Sequence, residues 1–228
     1  MTIYCNLRRP DEYLSSWHRQ RLKFGAKLGR LSEEAMDEYL GSAHFQQARL
    51  IEEWVHDHFP EARLVVRNFK EVRAQGGSIL DFIHNSGIGF PAGLHIPRDQ
   101  NPSVPAAFAE VGRRAIHDLD LALSREVVGW LTSAGRRVAH HPDAQVEVFG
   151  RRNRDRLVQA FAPVATSLDR LTGRAPFYPD LQDLEVLRPV SDLQATQDAL
   201  PDLLQDAKLQ ELSPSIIKWL DLWSAVDS

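Results

Sequence analysis

Cysteine is nearly absent from this chain: Cys5 stands alone among 228 residues, so no internal disulfide can form and a reducing compartment is expected. Long apolar runs are missing too. No stretch of about eighteen apolar residues occurs, and the opening residues 1–7 are too short for a signal h-region before Arg8 and Arg9, so a cytoplasmic protein without a membrane span is expected. Helical metal-ligand spacing is lacking, since His56 and His58 are two apart and face different sides of a helix; no metal is expected. There is no Gly-x-Ser-x-Gly elbow, and no carboxylate pair is spaced as acid and base, so the catalytic residues stay unknown. Repeats and low-complexity tracts are also absent.

What is present is an ordinary globular mixture, 43% hydrophobic and 25% charged, which excludes a disordered or collagenous chain. The net charge of -4 argues against a general nucleic-acid binder but conceals a gradient. Residues 1–30 carry seven Lys/Arg against two acids, whereas residues 180–228 carry three against ten. An anionic ligand is therefore expected near the start of the chain.

The pattern reads as α/β, mostly helical, with few parallel strands. Residues 2–7 (TIYCNL) and 63–69 (RLVVRNF) are short β-forming runs, and the helical stretches between them imply a parallel crossover. Pro10 suits the first turn of a helix, with Asp11 and Glu12 at its positive end and Tyr13, Leu14, Trp17, Phe24 and Leu28 on one arc. Further helices are expected at residues 32–40 with Ser32 as N-cap, at 44–59, and at 78–85 after Gly76-Gly77. A loop at 87–105 precedes helices at 104–119, 125–139 and 153–171, and then short helices at 200–212 and 215–223. The expected organisation is a domain over residues 1–178 followed by an acidic helical tail over 179–228. Two strands make a poor sheet, so the first strand is expected to need cover from the tail or from another chain, as a homo-oligomer or with a partner.

The strand-to-helix junction Leu7-Arg8-Arg9-Pro10 is the candidate anion site, because a guanidinium beside a helix start offers fixed charge and a fork of donors. Asp11 and Glu12 would oppose a phosphate there unless they face away. A second basic group, Arg151, Arg152, Arg154 and Arg156, is a candidate glycan or phosphate surface. His140 and His141 are expected to complement a helix end.

The segment LRRPDEYLSSWHRQRLKFG resembles bacterial sulfotransferase-like proteins, often linked to polysaccharide modification. There a strand runs into an Arg-x-Pro helix start, and a serine follows six positions after the proline. The similarity continues through residues 45–88 and more weakly through 101–119 and the helix after Phe149, covering roughly residues 2–178. The resemblance implies a truncated P-loop-type sulfotransferase fold. It places the 3′-phosphate of the donor 3′-phosphoadenosine 5′-phosphosulfate (PAPS) on Arg8 and Ser16, and it implies a carbohydrate hydroxyl as acceptor. The family's Lys-Thr-Gly-Thr-Thr type loop for the 5′-phosphosulfate occurs nowhere in these residues, since neither GAKLGR nor QGGSIL has its chemistry. Sulfuryl transfer relies on positioning and on cations, so the loss of that loop removes most of the rate. Three expectations follow: a sulfotransferase-like protein inactive alone, a non-catalytic binding or assembly protein derived from that fold, or an incomplete reading of a normal enzyme.

Overall fold

Strand β1 (Thr2–Leu7) pairs in parallel with β2 (Arg63–Asn68) in an unbroken register from Thr2↔Arg63 to Leu7↔Asn68. The coordinates are a computed structural model that describes residues 1–91, 93–95 and 102–226, with side chains as far as Leu222. The architecture is α/β and mostly helical, as the pattern predicts. Ten α-helices and two small parallel sheets make up its regular structure among the described residues, the second sheet joining β3 (Val146–Glu147) to β4 (Val190–Ser191).

Helix α1 (Pro10–Lys23) starts at Pro10, whose missing N–H and fixed φ suit the first turn. It stops earlier than the apolar arc suggested. Gly25 takes φ +79°, Gly25 N–H donates to Leu22 O at 2.8 Å and Ala26 N–H donates to Arg21 O at 3.1 Å. This is a Schellman ending, which leaves Phe24 exposed and sends Leu28 into the core by a separate route. Helix α2 (Ala35–Leu40) likewise begins three residues after Ser32, which is not its cap. The expected helix at 44–59 is three pieces: a 3₁₀ turn at Ala43–Phe45, α3 (Gln47–Glu53), and a π turn at Trp54–His58. Phe45, Ala48 and Ile51 are buried, but the π turn breaks the period and leaves Trp54 and Phe59 exposed.

The remaining helices are α4 (Phe69–Ala74), α5 (Ser78–Asn85), α6 (Ala109–Asp118), α7 (Leu121–Val138), α8 (Gly150–Thr172), α9 (Asp192–Leu204) and α10 (Pro214–Val226). The expected 87–105 loop includes residues 92 and 96–101, which lie outside the described residues.

The chain forms two compact units, each assembled from three separate stretches. Unit 1 comprises Met1–Leu14, Asp37–Gln100 and Arg154–Val186, so the expected boundary after residue 178 falls inside it. Its core contains Ile3, Leu14, Phe45, Leu157, Phe161, Phe177 and Tyr178. Phe161 and Tyr178 lie 5.7 Å apart, and Phe177 meets Tyr178 edge-on at 4.8 Å. Helix α4 packs on both strands. On α5, Asp81 is fully buried and ties the helix to the sheet by accepting from Tyr4 Oη and, at 2.9 Å, from Arg67.

Unit 2 comprises Ser15–Met36, Asn101–Asn153 and Leu187–Ser228. The acidic tail does not stand apart from it. Ala195, Ala199 and Leu203 recur every fourth residue on α9 and are fully buried in the same core as Phe108, Val111, Val127 and Leu131. The acids of the tail face basic side chains of the same unit: Asp198 meets His141 at 2.6 Å, Asp202 meets His140 at 2.8 Å, and Asp206 meets Arg137 at 2.6 Å. The histidines thus join two segments and do not merely complement a helix end.

Close packing within unit 2 makes one glycine essential. A Cβ at Gly135 on α7 would lie 2.7 Å from Phe108 Cδ2 and 3.2 Å from Pro105 Cγ. Gly135→Ala is therefore expected to destabilise the protein by about 1–3 kcal/mol, although alanine favours the helix by about 0.5–1 kcal/mol elsewhere. Urea unfolding of the two proteins measures the difference.

Candidate functional site

The carboxyl ends of β1 and β2 lie side by side, which is where parallel α/β sheets commonly present ligands. β1 leaves this edge through Arg8 and Arg9 into α1, and β2 leaves it through Asn68 and Phe69 into α4. Asn68 caps α4, its side chain accepting from Lys70 N–H at 2.9 Å and donating to Phe177 O at 3.0 Å.

The two adjacent arginines take opposite directions. Arg9 is 4% exposed and lies among carboxylates of which Asp11 and Asp180 are buried. It donates to both oxygens of Asp11, at 2.8 and 3.2 Å, to Asp180 O at 2.7 Å and to Asp183 at 3.1 Å. Burial works against its charge, but Asp11 and Asp180 hold it firmly protonated. Arg8 is half-buried, and its guanidinium carbon sits 4.0 Å above the Phe69 ring. Of the two, Arg9 is engaged by carboxylates of its own unit, and Arg8 lies half-buried at the sheet edge. Nearby, Lys70 Nζ is 2.9 Å from Asp180 on an exposed side chain, and this hydrogen bond raises its pKa.

The two acids at the helix start do not oppose an anion equally. Asp11 turns inward to Arg9, with Arg154 at 3.7 Å, whereas Glu12 is exposed and 3.7 Å from Arg9. Four polar atoms of this unit lack a hydrogen-bond partner among the described residues although buried, Tyr178 Oη and Asp180 Oδ1 among them. Burial, Asp180 and Glu12 push the Tyr178 phenol up, so it stays a neutral donor.

Ser16 is half-buried on α1, in the stretch that belongs to unit 2. The second basic group disperses. Arg154 is buried and donates to Leu184 O at 3.1 Å, Arg156 pairs with Asp37, and the Asn153 side chain donates to Leu31 O at 2.9 Å. Arg151 and Arg152 remain exposed. Cys5 is half-buried in β1 and burial raises its thiol pKa, which disfavours the reactive thiolate. No group of His, Cys, Asp and Glu among the described residues could hold a metal ion, and no helix among them is long and apolar enough to cross a membrane.

Sequence reasoning missed a second polar cluster, in unit 2, formed by His18, Arg30, Glu110, Arg113 and Asp192. Only the Glu110, Arg113 and Arg114 spacing on one helix face hinted at it.

Comparison with known proteins finds 30% identity over 140 residues with an uncharacterized protein of Archaeoglobus fulgidus. The match covers 59% of this chain and 36% of that protein, so the chain spans about a third of its relative's length. No family model matches the chain. No solved structure matches it either.

Proposed function

We propose that this is a sulfotransferase-like protein, related to enzymes that move a sulfuryl group from PAPS to a carbohydrate hydroxyl, and that it retains the part of the donor site that takes the 3′-phosphate. One observation carries the reading: parallel strands end side by side, and at that edge Arg8 precedes a helix that opens at Pro10. A guanidinium held over an aromatic ring is restrained before the ligand arrives, and a phosphate accepts its forked donors. Ser16, which the resemblance also assigns, adds a neutral hydroxyl. No sequence here supplies the loop for the 5′-phosphosulfate, so these residues bind the nucleotide more than they catalyse transfer.

The test is calorimetric titration with 3′-phosphoadenosine 5′-phosphate at low and moderate salt. Affinity nearer millimolar than micromolar is expected, about 4 kcal/mol short of a full site. Arg8→Ala is expected to weaken binding by about 1.5–3 kcal/mol, and Ser16→Ala by about half as much, because a charged donor outweighs a neutral one. Equal binding of adenosine 5′-phosphate, or an Arg8→Ala variant that binds unchanged, would refute the donor reading. The alternative is a non-catalytic assembly protein, favoured by one feature: the β1–β2 sheet has two strands among the described residues and so two outer edges. Dimers in light scattering together with absent nucleotide binding would select it.

A further inference from the structure

Unit 2 contains a cleft that the donor reading does not use. Ser15 and His18 from α1, Arg30, Glu110 and Arg113 from α6, and Asp192 from the start of α9 line it. Its volume is about 30 Å³, room for one small polar group.

The cations around it are not equally engaged. Arg19 on α1 donates to Ser15 O at 3.2 Å, to Val104 O at 2.8 Å and to Asp143. Glu110 is clamped by two donors of Arg113, each at 2.8 Å, and by Arg114 at 3.1 Å. Arg30 differs. It has three carboxylates around it, Glu110 at 3.3 Å, Glu33 at 3.7 Å and Asp192 at 3.9 Å. Its Nε is the atom 3.3 Å from Glu110, yet, closed off from solvent, it makes no hydrogen bond among the described residues. A guanidinium in this state carries charge and a planar donor fork that the protein itself leaves poorly matched.

His18 reveals the sign of the local potential. It is 5% exposed, and burial, with Arg21, Arg113 and Arg19 adding to it, lowers its pKa to about 4 against the opposing pull of Glu110. The charged groups that face it from α1 and α6 therefore sum to a positive field, which favours an anion. Asp192 reinforces this: burial raises its pKa despite Arg30, so it gives up its negative charge more readily than an exposed carboxyl.

We propose that this cleft binds one small oxyanion, the carboxylate or sulfate group of an acidic ligand, with Arg30 presenting its fork and Ser15 and His18 adding hydrogen bonds. Binding draws protons toward His18 and Asp192, so it strengthens as pH falls. The site lies within unit 2 and does not depend on the Arg8 reading.

Inorganic sulfate titrated into the full chain, followed by amide and imidazole NMR at constant ionic strength, tests this. Saturable shifts confined to residues 15–19, 30 and 110–113 are expected, with the His18 midpoint rising above about 4. An acetate arm separates planar from tetrahedral preference. Arg30→Ala is expected to weaken binding at least about tenfold, and Arg30→Lys to restore part of it, since the charge returns without the fork. Arg8→Ala leaves it unchanged, so this site and the donor site fail separately. Linear, non-saturating shifts with both anions, or unaltered binding by Arg30→Ala, would overturn the proposal.

Discussion

Arg9→Ala is expected to destabilise the protein by about 3–5 kcal/mol, measured by urea unfolding, whereas Arg8→Ala one residue away should stay within about 0.5–1 kcal/mol. The contrast comes from what each removal leaves behind. Without Arg9, the Asp11 carboxylate, 4% exposed, loses a partner at 2.8 Å, while Asp180 loses a charge 3.0 Å away. Uncompensated buried carboxylates are far costlier than a lost attraction at the surface. Without Arg8, the fold loses the stacking on Phe69 at a half-buried site, and the edge of the sheet loses its guanidinium. Two arginines that look interchangeable in the sequence should thus separate into a stability variant and a binding variant.

The second large effect is a pH dependence centred on His18. Its folded pKa of about 4 lies below the unfolded value near 6.5, so between those values the unfolded chain holds a proton that the folded chain lacks. Stability therefore rises with pH across that window and is lost as pH falls from about 6.5 to about 4. The full difference is about 3 kcal/mol at 1.36 kcal/mol per pKa unit. Unfolding curves at pH 7 and pH 4.5 should show most of that loss, and His18→Gln should flatten it. At more acidic pH, Glu110 adds to the loss. Burial raises its pKa, but Arg113, Arg30 and Arg114 outweigh that and hold it below the usual range, so its contribution disappears as it protonates. Saturating sulfate should shrink the His18 loss, because an anion in the cleft lets the folded state accept the proton.

Much of the chain was readable where local signals and tertiary packing agree. The parallel pairing of β1 with β2 follows from two short apolar runs joined by helices, and α5 begins where Gly76-Gly77 demands positive φ and ends at Asn85 as the pattern indicates. Elsewhere the period misled. Phe24 continues the arc of α1, but Gly25 stops the helix before burial can reward that position. The apolar pattern gives no sign of α4, although Asn68 and Glu71 stand at cap spacing, and it starts α9 late, although Ser191 and Gln194 carry the same signature. The candidate site was half legible. Arg8 could be picked out as one of two arginines, but only the fold shows that Arg9 turns inward. The cleft of His18, Arg30 and Asp192 draws on residues more than a hundred positions apart, which no window of sequence can bring together.

Synthesis on the ribosome meets the interleaved stretches of the two units in a particular order. β1 emerges before its partner β2, which follows about 60 residues later, an interval of about 3–12 s at ordinary elongation rates. During that time an apolar strand waits without its neighbour. Unit 1 cannot close until Val186 has left the exit tunnel, and unit 2, which opens at Ser15, needs the stretch from Leu187 onward as well. Neither unit can fold behind the ribosome while the other is being made, so both mature together once the stretch from Leu187 onward has emerged. For the same reason, no single cut in the gene releases either unit as an expressible fragment.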